Sequence, residues 1–138
     1  MNKTIPIRME GLTLTVDDVA RSVEFYTTKM GFSCPWNAAP AFAMIRVGGD
    51  TGGTIGLLAF SEAAREGVKA STPEQRRGIH VELSTDNLDG LYEALLAKGV
   101  TFYSPPHVEP WERSATAIDP DGYSIEIAEG RRGDKEKK

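Results

Sequence analysis

Leu12, Leu14 and Val16 alternate with polar neighbours toward the end of the stretch Ile5 to Val16, and that period of two predicts a strand with one buried face. Asp17 and Asp18 follow and offer side-chain oxygens to cap a helix start. Val19, Val23, Tyr26 and Met30 then recur at helical spacing, and Gly31 ends the helix. Phe32 to Trp36, Phe42 to Val47 and Thr54 to Phe60 predict three more strands, divided by Pro and Gly clusters. The same order returns downstream. Ile79 to Thr85 reads as a strand, and Asp86 or Asn87 caps a helix that buries Leu88, Leu91, Tyr92, Leu95 and Leu96 and stops at Gly99. Further strands are expected near Thr101 to Tyr103, Arg113 to Ile118 and Tyr123 to Ala128. The polar stretch Ser61 to Gly78 connects the two series and opens with a short predicted helix around Glu62 to Glu66.

The two series are copies at an offset of 69 residues: Leu12 to Val19 falls on Val81 to Leu88, Lys29 on Lys98 and Gly53 on Gly122. The chain therefore divides into a first module over about residues 7–60, a connector over 61–77, a second module over about 78–129 and a basic tail, expected to be disordered, over 130–138. Where the copies differ, chemistry is suggested. His80 stands opposite Gly11, and Glu126 opposite Leu57 at this offset.

With 138 residues, 40% hydrophobic and 26% charged, the chain suits one globular domain with its own core. It contains no apolar run near the roughly 20 residues of a membrane span and no basic-then-apolar leader, so a cytoplasmic location is expected. The single cysteine, Cys34, excludes an internal disulfide and is expected to be a small buried thiol. The formal charge is −4, and the basic tail leaves about −7 on residues 1–130. That acidic body argues against nucleic acid as a partner.

The helix opening Asp18-Val19-Ala20-Arg21-Ser22 and continuing to Phe25-Tyr26, with Gly78-Ile79-His80-Val81 and Asp119-Pro120-Asp121-Gly122-Tyr123-Ser124-Ile125-Glu126 in the second copy, resembles the vicinal oxygen chelate superfamily. This group includes glyoxalase I, bleomycin-resistance proteins and extradiol dioxygenases. The resemblance implies an α+β fold of two tandem βαβββ modules curled into a cup-shaped half-barrel, commonly assembled as a homodimer. It also implies a divalent metal (Zn, Ni, Fe or Mn) held by up to four positions, which fall here on Gly11, Leu57, His80 and Glu126. Only His80 and Glu126 carry ligating side chains, whereas catalytic metal sites usually supply three. Glu82, two residues beyond His80 on the same strand face, is the better placed substitute. His107, after Pro105-Pro106, is read in a loop.

Alternation puts Phe42, Met44 and Arg46 on one strand face, with Trp36 nearby. Tyr103, Trp111 and Arg113 form a second candidate set. Aromatic walls with arginines suit a flat organic ligand. Arg113 has a plainer reading as half of a structural ion pair, and His80 as a histidine bonded to Glu126. Three functions follow, in this order. The first is a protein that binds a small organic molecule without a metal cofactor. The second is a divalent-metal-dependent lyase or isomerase resembling glyoxalase I, with His80 and Glu126 as ligands beside a third that the sequence does not single out; without metal, the same pair could still transfer a proton, Glu126 as base and His80 as acid or orienter. The third is an interaction module with no small ligand.

Overall fold

The computed structural model describes residues 4–50 and 52–130. Its first module runs β1 (Gly11–Val16), α1 (Val19–Glu24), β2 (Ser33–Ala38), β3 (Phe42–Arg46) and β4 (Thr54–Ala59). Two short helices, α2 (Phe60–Ala64) and α3 (Pro73–Arg76), lie in the connector. The second module runs β5 (His80–Thr85), α4 (Leu88–Ala97), β6 (Thr101–Val108), β7 (Arg113–Ile118) and β8 (Ser124–Glu129). Each module forms one mixed four-stranded sheet, ordered β1-β4-β3-β2 and β5-β8-β7-β6. The fold is α+β, and the two open sheets make a half-barrel cup. No helix among the described residues is long and apolar enough to cross a membrane.

The helix starts follow their sequence signals. Asp18 accepts from the Arg21 amide, and Asn87 from the Gly90 amide. Beyond Glu24 the first helix widens into a π-helical turn over Phe25–Lys29, closed by the Met30 amide on the Phe25 carbonyl. This turn keeps Phe25 and Tyr26 both buried.

Four expectations change. Ile5 to Glu10 is not strand, and Ile5, Ile7 and Met9 are exposed. β6 continues through Pro105-Pro106 to Val108, because it is an edge strand with two register shifts, where a missing N–H costs no ladder bond. His107 is thus on a strand, not in a loop. The connector helix α3 went unread, although Thr72 and Gln75 form a capping box with Pro73 at its start. Cys34 is half-buried rather than enclosed. The tail from Arg131 onward lies outside the described residues.

The strand register also revises the offset. Leu14 pairs with Leu57, and its counterpart Leu83 pairs with Ile127. Leu57 therefore matches Ile127, and the counterpart of Glu126 is Gly56. Likewise Ala43 pairs with Leu57 and Ala115 with Ile127, so Met44 matches Thr116 and Arg46 matches Ile118. Connections of unequal length between strands shift the register, which one constant offset cannot represent.

One apolar cluster serves both modules, with Leu14, Val16, Ile45, Leu57, Ile125 and Ile127 at its centre. Among the described residues no strand ladder joins the two sheets. Side chains hold them instead. Asp121, fully buried, accepts from the Asp17 amide, from Ser22 Oγ at 3.2 Å and from Arg21 Nη2 at 3.2 Å. Buried Arg76 donates to the Asp121 carbonyl at 3.1 Å and to Ser71, and its Nη1 stands 3.8 Å from the Asp121 carboxylate. Tyr26 donates to Asp119 at 2.7 Å, and Tyr123 donates to the Thr15 carbonyl at 2.7 Å. The β7–β8 turn of the second module is thereby fastened to the end of β1 and the start of α1.

Removing one partner of a buried charge pair strands the other, so Asp121→Ala is expected to cost about 3–5 kcal/mol. Exposed Asp50→Ala should stay within about 0.5 kcal/mol; urea unfolding measures both. Burial, and then the Asp119 charge and hydrogen bond, raise the Tyr26 phenol well above its ordinary value. A pKa raised on folding contributes stability below the unfolded value, near pH 10, that is lost as pH climbs through the folded one. Above about pH 10 the unfolding midpoint should therefore fall more steeply for the native chain than for Tyr26→Phe, read from denaturation curves at successive pH values.

Candidate functional site

Side-chain parity assigns the two faces of each sheet. On β3, Ala43 and Ile45 are buried against the helix side, so Phe42, Met44 and Arg46 face the cup. On β5 and β8, Val81, Ile125 and Ile127 are buried, so His80, Glu82, Ser124 and Glu126 face the cup. Arg113 shares parity with Ala115 and Ala117 and faces the helix. There it binds Asp89 of α4 at 2.7 Å and Glu129 at 3.2 Å. It is a structural ion pair, and this corrects its placement among cup residues. Leu57 likewise belongs to the core, with no exposed surface.

In the second module, His80 Nδ1 lies 3.0 Å from Glu126 Oε2, with the imidazole 39% and the carboxylate side chain 15% exposed. The carboxylate accepts, so Nδ1 carries the proton in this contact. Glu82 is the direct register neighbour of Glu126 across β5 and β8, and Thr116 is its neighbour on β7. His107, opposite Ser114, lies among Pro105, Ser104 and Glu109. Nδ1 is 2.8 Å from the Pro105 carbonyl and 3.0 Å from Ser104 Oγ, and Nε2 is 2.9 Å from Glu109. The Pro105 carbonyl, and then Glu109, raise its pKa, and the charge of Glu126 adds to the same effect. Reading Pro105-Pro106 as a loop hid this second histidine. Tyr103, 42% exposed, carries the Arg77 guanidinium 4.5 Å over its ring. Arg77 had no sequence signal. Trp111 is exposed in the β6–β7 turn.

In the first module, Trp36 pairs with Met44, and Met44 with Gly56, which pairs in turn with Thr13. The rings of Trp36 and Phe42 meet at 5.5 Å with a tilt of 59°. Arg46 donates to the Asp50 carbonyl at 2.8 Å. The two glycines at the positions equivalent to His80 and Glu126 sit in closed surroundings. A Cβ on Gly11 would collide with the Thr54 carbonyl. One on Gly56 would stand 2.6 Å from Thr13 Oγ1 and 3.2 Å from the Phe42 ring. Among the described residues no three His, Cys, Asp or Glu side chains converge as a metal site.

The modules meet at a cavity of about 270 Å³ walled mainly by helix-face residues, Leu12, Val47 and Ile55 from the first module and Val81 and Leu83 from the second, together with Gly11, Gly53, Thr54 and Glu82. A second space of about 220 Å³ lies along Glu82, Ser84 and Ala128.

Comparison with known proteins places this geometry. A model described as Glyoxalase/Bleomycin resistance protein/Dioxygenase superfamily matches residues 8–127. Among solved structures, a glyoxalase/bleomycin resistance protein/dioxygenase from Nocardioides is 31% identical, covering 94% of this chain and 88% of its own, with a TM-score of 0.74. A superfamily member from Sphaerobacter thermophilus DSM 20745 is 26% identical over 91% of this chain and 98% of its own, with a TM-score of 0.72. TnmS3, an antibiotic binding protein from Streptomyces sp. CB03234, is 20% identical over 94% of this chain and 100% of its own, with a TM-score of 0.67. No curated protein sequence matches the chain. The chain belongs to the glyoxalase/bleomycin resistance protein/dioxygenase superfamily.

Proposed function

We propose that the chain binds a small organic molecule in its cup and that no resident metal completes the site. The observation that carries this reading is the pair of glycines in the first sheet. Imidazole and carboxylate from His80 and Glu126 give two donors, fewer than a catalytic site usually supplies. The equivalent positions, Gly11 and Gly56, lack ligating side chains, and Thr54, Thr13 and Phe42 fill the space such side chains would need. The residues present therefore do not fit the family's four-ligand metal. Trp36, Phe42 and Met44 supply apolar and aromatic surface on the facing sheet, the usual lining of an organic ligand site. TnmS3 illustrates a ligand of this general kind held by a chain of the same fold.

A second reading, proton transfer to or from the bound molecule, is favoured by the 3.0 Å His80–Glu126 contact. In it Glu126 takes the proton and His80 orients the carboxylate. We also infer that two chains pair, because Ile5, Ile7, Met9 and Val108 expose apolar surface that a second copy would cover.

Metal analysis of protein purified without chelator should give well under one Zn, Ni, Fe or Mn per chain. A stoichiometric ion that disappears in His80→Ala or Glu126→Ala would overturn the metal-free reading. Trp36→Ala and Phe42→Ala should each weaken binding of a three-ring aromatic probe such as acridine roughly 2- to 12-fold, the worth of one aromatic contact. Calorimetric titration measures it, and unchanged affinity in both variants would remove the cup as the binding site.

A further inference from the structure

Arg21, Arg65, Arg76 and Arg113 each stand against a carboxylate. Arg77 does not. Its guanidinium lies 4.5 Å over the Tyr103 ring, and among the described residues no hydrogen bond or ion pair occupies its N–H groups. Stacking uses the flat face of a guanidinium and leaves its N–H edge open. That edge matches the paired oxygens of a carboxylate or phosphate.

Strand register puts the stacked pair on the cup face of the second sheet. Phe102 pairs with Ala117, and its ring packs on Tyr92 of α4 at 4.7 Å, so Phe102 faces the helix. Tyr103 follows it and points to the opposite face. The register shifts between Phe102 and Ser104, which makes Tyr103 the extra residue of a bulge, a device that re-aims a side chain. Arg77 starts from the far side of the sheet. Its carbonyl accepts from Ser124 Oγ at 2.7 Å, and Ser124 pairs with His80. Since β8 and β7 lie between β5 and β6, the Arg77–Tyr103 pair spans the cup face of both central strands. Glu126 and Thr116 stand there as register neighbours.

The root of Arg77 is fixed as well. Arg76, the last residue of α3, is buried on Ser71 and the Asp121 carbonyl. A guanidinium placed in advance loses less freedom when a ligand arrives. Glu126 already has His80 as its partner at 3.0 Å, so Arg77 is not its counter-ion. Resting on the reading of the cup as a ligand site, we propose that the ligand carries an oxyanion, a carboxylate or a phosphate group, and that Arg77 binds it through the N–H edge left open by Tyr103. The atoms of the ligand next to that group then face the strands that carry Glu126 and Thr116.

Calorimetric titration of the full chain at pH 8 with 2-naphthoate, 2-naphthyl phosphate and 2-naphthamide compares two anions with a neutral molecule on one ring system. At least one anion should bind about tenfold tighter than the amide, and the tighter of the two names the source of the oxyanion. Arg77→Gln should close the gap, and Arg77→Lys, a charge without the planar fork, should keep only part of it. Tyr103→Leu retains the charge of Arg77 and removes its seat, so it should narrow the gap too. Thermal melting verifies that each variant folds. If the gap is unmoved in Tyr103→Leu, Arg77 acts as a plain surface charge and the stacked seat is wrong. If the amide binds as tightly as both anions, if the gap survives in Arg77→Gln, or if acridine binds and no naphthyl probe does, the oxyanion assignment is wrong while the cup remains a ligand site. If neither acridine nor any naphthyl probe binds, the ligand-site reading falls as well.

Discussion

The cup depends on a fastening made by buried carboxylates. Hydrogen-bonded ladders end at β1 and β5, so nothing in the backbone forces the two sheets to share one concave surface. Asp121 and Asp119, from the β7–β8 turn, reach the end of β1, α1 and the π-helical turn after it, where they accept from Asp17, Arg21, Ser22 and Tyr26. Arg76 supplies a buried positive charge from the connector, and the capping box of α3 holds it in place. Without this group the common apolar core would favour contact between the modules, because apolar burial is not directional. It would not select one orientation of the two sheets.

On the proposed reading, that orientation makes one site of two unlike sheets. Both modules have the same topology, yet the first lines the cup with Thr13, Gly56, Met44, Phe42 and Trp36, and the second with His80, Glu82, Glu126 and Thr116. The asymmetry resides in side chains at equivalent backbone positions and not in the fold. A scaffold of this kind can change ligand chemistry without changing its core, since cup residues and core residues alternate along every strand.

The period-two and helical patterns made the doubled βαβββ order legible, because each strand buries one face and each helix one stripe. His80 and Glu126 were legible for a related reason: each interrupts an apolar run at a position where parity points away from the core. The errors have physical origins too. The constant offset put Leu57 opposite Glu126, because unequal connections had moved the register by one residue, and a shift of one exchanges the two faces of a strand. Arg113 was misplaced for want of its partners, since Asp89 and Glu129 are distant in sequence from the cup residues it was grouped with. Prolines concealed His107, because an edge strand tolerates what a central strand does not. The filling of the space around Gly11 and Gly56 had no trace in the sequence at all.

That filling decides between two designs for the same cup. A carboxylate at Gly56 would require Thr13 Oγ1, 2.6 Å from its Cβ, to turn away and the Phe42 ring, 3.2 Å from it, to give by a few tenths of an ångström, which would disturb the backing of Trp36. A side chain at Gly11 would collide with backbone, which gives way less readily than a rotamer. A metal-ligating first sheet therefore competes with the aromatic one for the space beside Gly56. Restoring a ligand at Gly56 would disturb the Trp36–Phe42 pair and still leave the donor set one short of four. On the proposed reading, the two glycines, more than His80 and Glu126, set the chemistry of the cup.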